Sequence, residues 1–174
     1  MSESAVPPRF IDVFEFARSG GRIAGTLACA RMSRLAPMLA AGEGELRFEL
    51  RGAIDGRARP AAQLRFAGRV LLECDRCGAA VEHELGGGGR YYFVRSEKEL
   101  AQIAIDDGED EPLLGAARFD LHQLIEDEAI LALPMAPRHG CCAPRPAEAA
   151  TPAAGADRQR PFAALGQALK TRRR

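Results

Sequence analysis

No apolar stretch of this 174-residue chain approaches the roughly 18 residues that a membrane-spanning helix requires, so the sequence excludes a helical bilayer anchor. The segment from Met1 to Arg9 carries acid and proline where a secretory leader carries basic and then apolar residues, and a cytoplasmic location is expected. The five cysteines, Cys29, Cys74, Cys77, Cys141 and Cys142, are odd in number, which argues against a disulfide framework. Lysine is nearly missing, with 2 residues against 22 arginines. Arginine suits bidentate phosphate contacts, but a GC-rich genome gives the same bias and accounts for the ratio itself. Net charge is lacking too, since 24 basic residues cancel 24 acidic ones, and this argues against a general nucleic-acid coat. What is present is a hydrophobic fraction of 47%, enough for one core, so disorder throughout is excluded.

The zero is a sum over unequal parts. Residues 1–95 hold 14 basic and 11 acidic side chains, 96–128 hold 2 and 11, and 129–174 hold 8 and 2. An acidic middle and a basic end point to an interaction with nucleic acid or with an acidic surface.

Along the chain, Phe10 to Phe16 alternates in part and Ser19-Gly20-Gly21 reads as a turn, so short strands are expected before a helical turn around Met32 to Leu39. Leu46, Phe48 and Leu50 alternate with charged residues, as do Leu64, Phe66, Val70 and Leu72, the period of half-buried strands. Val81 to Leu85 and Arg90 to Val94 read as two further strands around a flexible Gly86–Gly89 loop, which together imply an antiparallel meander. Ser96 to Gly115 reads as a solvated acidic loop, opening with a helical turn at Glu97 to Ile103. Asp120 caps an expected helix that ends before Leu133-Pro134. Residues 143–161 hold 7 Ala and 4 Pro, the composition of a linker. The domain reading is therefore one α+β domain over 1–142, a disordered Ala/Pro linker over 143–160, and a short amphipathic basic segment over 161–174. The fold expected is a mainly antiparallel sheet, open or barrel-like, with one principal helix.

Cys74-Asp75-Arg76-Cys77-Gly78 sits at a turn between two expected strands, the setting of a zinc knuckle in which two thiolates converge on one metal. Two more ligands must come from Cys29, His83, His122, His139, Cys141 or Cys142, and the Pro-rich stretch holding His139-Gly140-Cys141-Cys142 can fold back over the knuckle. The expected set is Cys74, Cys77, Cys141 and either His139 or Cys142. The competing readings are reduced thiols in a tight turn and a thioredoxin-like redox pair, which needs an exposed cysteine at a helix start.

At 100° per residue the expected helix places Glu128 amid the stripe of Leu121, Leu124, Ile125, Leu131 and Ala132, with Glu126 and Asp127 pointing away. A buried carboxylate needs a partner, so Arg65 or Arg69 is expected to reach Glu128, unless the helix is rotated and Glu128 lies at the edge in water. An isolated Glu is a poor catalytic candidate. At the other end, Lys170, Arg172, Arg173 and Arg174 offer phosphate contacts, and Phe162 and Leu165 an apolar docking face.

The blocks Leu71-Leu72-Glu73-Cys74-Asp75-Arg76-Cys77, Val94-Arg95-Ser96, Asp120-Leu121, Glu126 through His139 and Pro161-Phe162-Ala163-Ala164-Leu165 together resemble the YceD family, the large ribosomal RNA subunit accumulation proteins. The resemblance implies a non-enzymatic factor for synthesis, processing or stability of large-subunit (23S) ribosomal RNA, partnered by that RNA or a pre-ribosomal particle. It maps Cys74 and Cys77 onto the family's first cysteine pair, and Cys141 or Cys142 onto a later cysteine. A rival reading is a protein-interaction adaptor that meets a ribosomal protein through the acidic loop 106–111.

Overall fold

The computed structural model describes residues 7–103 and 110–143. These residues form β1 (Phe10–Ile11), α1 (Val13–Arg18), β2 (Arg22–Ala28), β3 (Gly44–Ile54), β4 (Pro60–Glu73), β5 (Ala80–Gly87), β6 (Arg90–Val94), α2 (Glu97–Leu100), β7 (Glu111–Leu114), β8 (Phe119–Asp120) and α3 (Leu121–Leu131). The main sheet runs β2-β3-β4-β6-β7, with β5 also on β4, and β1 pairs with β8 apart from it. Pairings are antiparallel except β6 with β7. The α+β, mainly antiparallel reading holds, and the sheet is open: among the described residues no strand joins β2 to β7.

The alternation in sequence is the alternation in space. Leu46, Phe48 and Leu50 of β3 and Leu64, Phe66, Val70 and Leu72 of β4 all turn into the core, while Arg47, Arg65 and Arg69 face solvent. Helix α3 packs on that inner face through Leu121, Leu124, Ile125 and Ala129. Residues Tyr91, Tyr92, Phe93 and Val94 do not alternate, because β6 is covered on both sides: Tyr91 and Phe93 join the main core, and Tyr92 and Val94 form a second cluster with Ala61, Leu100 and Ile103.

Three expectations are corrected. The segment after Phe10-Ile11 is a helix, not a strand, because the Asp12 carboxylate accepts from the backbone N–H groups of Phe14 (2.9 Å) and Glu15 (3.1 Å) and starts α1. The region from Val81 to Val94 is not a meander: β5 and β6 lie along the same edge of β4 in one continuous register, Phe66 opposite Gly87 and Gln63 opposite Arg90. The glycines expected to form a loop between them instead keep the ladder going, with Leu64 N–H donating to Gly89 O at 2.9 Å. Gly88 has φ +133°, and a Cβ there would run into the Leu64 carbonyl, so only glycine carries the strand past this point. Lastly, the acidic stretch holds strand β7 as well as the expected turn α2; Asp106, Asp107 and Glu109 lie outside the described residues.

On α3 the buried acid is Glu126, 7% exposed, and Glu128 is only half-buried. The helix is rotated relative to the expected stripe, and the partner is neither Arg65 nor Arg69. Glu126 Oε1 accepts from the backbone N–H groups of Arg34 (2.6 Å) and Leu35 (3.0 Å), and its other oxygen lies 3.5 Å from the Arg34 guanidinium. Arg69 instead pairs with Glu82 and Glu84 on β5.

Candidate metal centre

Strand β4 delivers Cys74 to the end of the sheet, and the chain then reverses in four residues. Gly78 N–H donates to Cys74 O and Cys74 N–H to Ala79 O, each at 2.8 Å, and Gly78 takes φ +75° to complete the turn into β5. The Cys74 side chain is buried and Cys77 half-buried. This strand–turn–strand setting is the one that the knuckle reading requires and the thioredoxin-like reading does not.

The second arm arrives from the far side of α3. After Leu133-Pro134 the chain returns to the knuckle, where Asp75 N–H donates to Pro137 O at 2.9 Å and the Arg138 guanidinium meets the Asp75 carboxylate at 3.1 Å. These two bonds seat His139 and Cys142 against the cysteine pair. Cys74 Sγ lies 3.7 Å from Cys142 Sγ, and Cys77 Sγ 3.5 Å from His139 Nδ1. The four donor atoms all fall within 4.8 Å of one another.

Those spacings fit a divalent metal. A tetrahedron with metal–sulfur bonds of about 2.3 Å and a metal–nitrogen bond of about 2.0 Å has edges of about 3.8 Å between sulfurs and about 3.5 Å between sulfur and nitrogen. The imidazole is oriented for the task, since its Nε2–H donates to Ala80 O at 3.0 Å and so leaves the Nδ1 lone pair facing the thiols. Burial by itself pushes the Cys74 thiol up, but backbone N–H groups of His139, Cys77 and Arg76 aimed at its sulfur, and the Cys77 side chain, outweigh that and hold it well below the ordinary thiol range. Cys142 is pushed up, first by burial and then by its hydrogen bonds to Cys74 and Cys77. The Cys3His donor set is chemically soft, which suits zinc and disfavours calcium or magnesium.

Of the residues expected at the site, Cys74, Cys77, His139 and Cys142 come together, and Cys141 does not. It is exposed, while its neighbour Cys142 is half-buried and takes the inward position. His139 and Cys142 thus serve together, where one of the two was expected beside Cys141. Cys29 is buried elsewhere in the core, with burial raising its thiol. Neither His83 nor His122 belongs to the group. The spacing His139-x-x-Cys142 mirrors Cys74-x-x-Cys77 and was the signal in the sequence that identifies the full set. Lys170, Arg172, Arg173, Arg174, Phe162 and Leu165 lie outside the described residues, as does the linker from residue 144.

No helix among the described residues is long and apolar enough to cross a membrane. No curated protein and no solved structure matches the chain significantly. A family model described as "Large ribosomal RNA subunit accumulation protein YceD" matches residues 62–169, a span that runs from within β4 through α3 and includes all four donors of the candidate centre. With more than half of its length in that match, the chain belongs to the YceD family, whose name ties it to accumulation of large-subunit ribosomal RNA.

Proposed function

We propose that this chain is a non-enzymatic, cytoplasmic factor that supports accumulation of 23S ribosomal RNA by binding the precursor RNA or an assembling large subunit, and that it carries a structural zinc ion on Cys74, Cys77, His139 and Cys142. Family membership is the observation that carries the first half. The convergence of a Cys-x-x-Cys knuckle and a His-x-x-Cys arm that begins 62 residues beyond Cys77 carries the second. With all four positions supplied by protein, such a site closes around its metal and leaves no open coordination position for chemistry; it clasps the chain after α3 to the end of the main sheet.

Lys170, Arg172, Arg173 and Arg174 supply phosphate contacts in this reading, and Phe162 and Leu165 an apolar anchor. An adaptor acting through the acidic loop gains less support, since Asp110, a described member of that loop, is engaged within the fold by Arg90 at 2.8 Å. The test is sedimentation of the tagged full chain with large-subunit precursors through a gradient at rising salt. Co-migration that weakens with salt is expected, together with a shallower salt dependence after deletion of residues 161–174. Migration indifferent to that deletion removes the role given to the basic end, and absence from the precursor fractions removes the function. Zinc analysis of the purified protein is expected to return close to one ion per chain.

A further inference from the structure

The outer face of the main sheet carries a charge pattern that the ladder register makes explicit. Side chains opposite one another in an antiparallel ladder share a face. One row across the sheet is Arg22, Arg51, Gln63 and Arg90; the next is Ala24, Glu49 and Arg65; the third is Thr26, Arg47, Ala67 and Gly86. Those three rows hold five arginines and one carboxylate. The fourth, Ala28, Glu45, Arg69 and Glu84, reverses the sign. A domain with 17 basic against 22 acidic side chains over residues 1–142 therefore concentrates cations at the β3–β4 hairpin end of one face.

The cations at the middle of this patch are not consumed by the fold. Glu49 bonds Arg22 and Arg51, the latter at 3.0 Å, and these two guanidiniums hold its carboxyl below the usual range. Arg90 is held by Asp110. Arg47 and Arg65, both exposed, have no hydrogen-bond or ion-pair partner among the described residues. They are diagonal neighbours across β3 and β4, so their Cβ atoms stand about 7 Å apart, close enough for like charges to gain from a shared counter-anion. Beside them Ala67 and Gly86 floor an open depression of about 1030 Å³, walled by Arg47 on one side and by Arg69 with Glu45 and Glu84 on the other.

Among the described residues the face is also without exposed rings. Tyr92, its one aromatic residue, is 2% exposed beneath the Arg59 guanidinium. Proteins that grip single strands stack bases on aromatic side chains, whereas helical RNA is held through phosphates and 2′-hydroxyls. Guanidiniums set in a shallow, ring-free surface match the second mode.

We propose that this face binds the sugar-phosphate backbone of double-helical RNA without regard to sequence, with Arg47 and Arg65 as its central phosphate contacts. The inference rests on the reading that the chain acts on ribosomal RNA, and it assigns the folded domain a contact of its own besides the basic end. The Glu45/Glu84 row repels phosphate and sets the footprint's boundary.

Fluorescence anisotropy with a 20-base-pair RNA duplex, its single strand and poly-glutamate tests this on the full-length protein. Four forms are compared: wild type, Arg47→Ala/Arg65→Ala, Glu49→Gln, and a variant with Lys170, Arg172, Arg173 and Arg174 all changed to Gln. Circular dichroism and thermal melts report their folding. Loss of two phosphate contacts is expected to weaken duplex binding about tenfold and to lower the slope of log K against log salt by about 2. Glu49→Gln, which releases Arg22 and Arg51, is expected to tighten it by roughly two- to fivefold, the size of one surface charge contact. Binding unchanged in both sheet variants but lost in the tail variant overturns the inference and leaves the ribosomal reading intact. Preference for the single strand or for poly-glutamate overturns it as well. Absence of duplex binding by wild type also overturns it, and gradient co-migration then decides separately whether the ribosomal reading survives.

Discussion

Glu126 shows how one residue fixes the relation between a helix and a loop far away in sequence. Its carboxylate closes two backbone N–H groups of the Arg34–Leu35 turn, one of them fully buried, and balances the charge on Arg34. Glu126→Ala leaves these donors without acceptors, and a loss of about 2–3 kcal/mol in urea unfolding is expected. Glu126→Gln retains a carbonyl acceptor and is expected to cost about half as much; equal losses for the two variants refute the hydrogen-bond account. That the helix buries an acid was legible from the sequence, but which acid was not. Glu126 and Glu128 stand about 200° apart around a helix, towards opposite edges of the apolar stripe, so the rotation of that stripe about the helix axis decides which of the two is covered. The loop that decides the rotation lies 91 residues away from Glu126, beyond the reach of any periodicity.

At the scale of elements, β4 organises the molecule. Its 14 residues accept β3 along one edge and β5 followed by β6 along the other, and they end in the knuckle. The alternation of Leu64, Phe66, Val70 and Leu72 made this strand visible in the sequence, because a half-buried strand imposes period two. The Gly86–Gly89 run was misread as a loop since glycine signals turns and strained strand positions alike. Gly88→Ala separates the two meanings. In a flexible loop alanine is harmless, whereas at φ +133° against the Leu64 carbonyl it is expected to destabilise by about 2 kcal/mol or more and to loosen β6 against β4. Amide hydrogen exchange checks this, with lost protection expected at Leu64 N–H, whose acceptor is Gly89 O.

At the scale of the whole molecule, the candidate centre links two segments far apart in the chain: the knuckle at the end of β4 and the arm that follows α3. Metal bound only by the folded state adds stability by mass action, about 2.7 kcal/mol when free metal stands at a hundred times its dissociation constant. Chelation is therefore expected to lower the melting temperature by roughly 5–10 °C. Cys142→Ser is expected to bring the melt close to the chelated value and to make it insensitive to chelator, while Cys141→Ser keeps the full response. Identical behaviour of the two variants, or a melt indifferent to chelation in wild type, refutes the assignment.

Local pattern determined much of this protein from its sequence. The strands with clear alternation, the Asp120 cap of α3, the turn at Cys74–Gly78 and the family itself were all readable, because each depends on residues within one or two turns of chain or on motifs in fixed order. Tertiary structure decided what depends on contact between distant segments: the open sheet, the rotation of α3, the choice of Cys142 over Cys141, and the gathering of arginines on one face of a domain that is net acidic. Register is the reason. Composition counts charges and periodicity assigns them a face, but only the pairing of strands sets Arg47 diagonally beside Arg65, with Glu49 the one carboxylate in their rows and Glu45 and Glu84 in the row beyond.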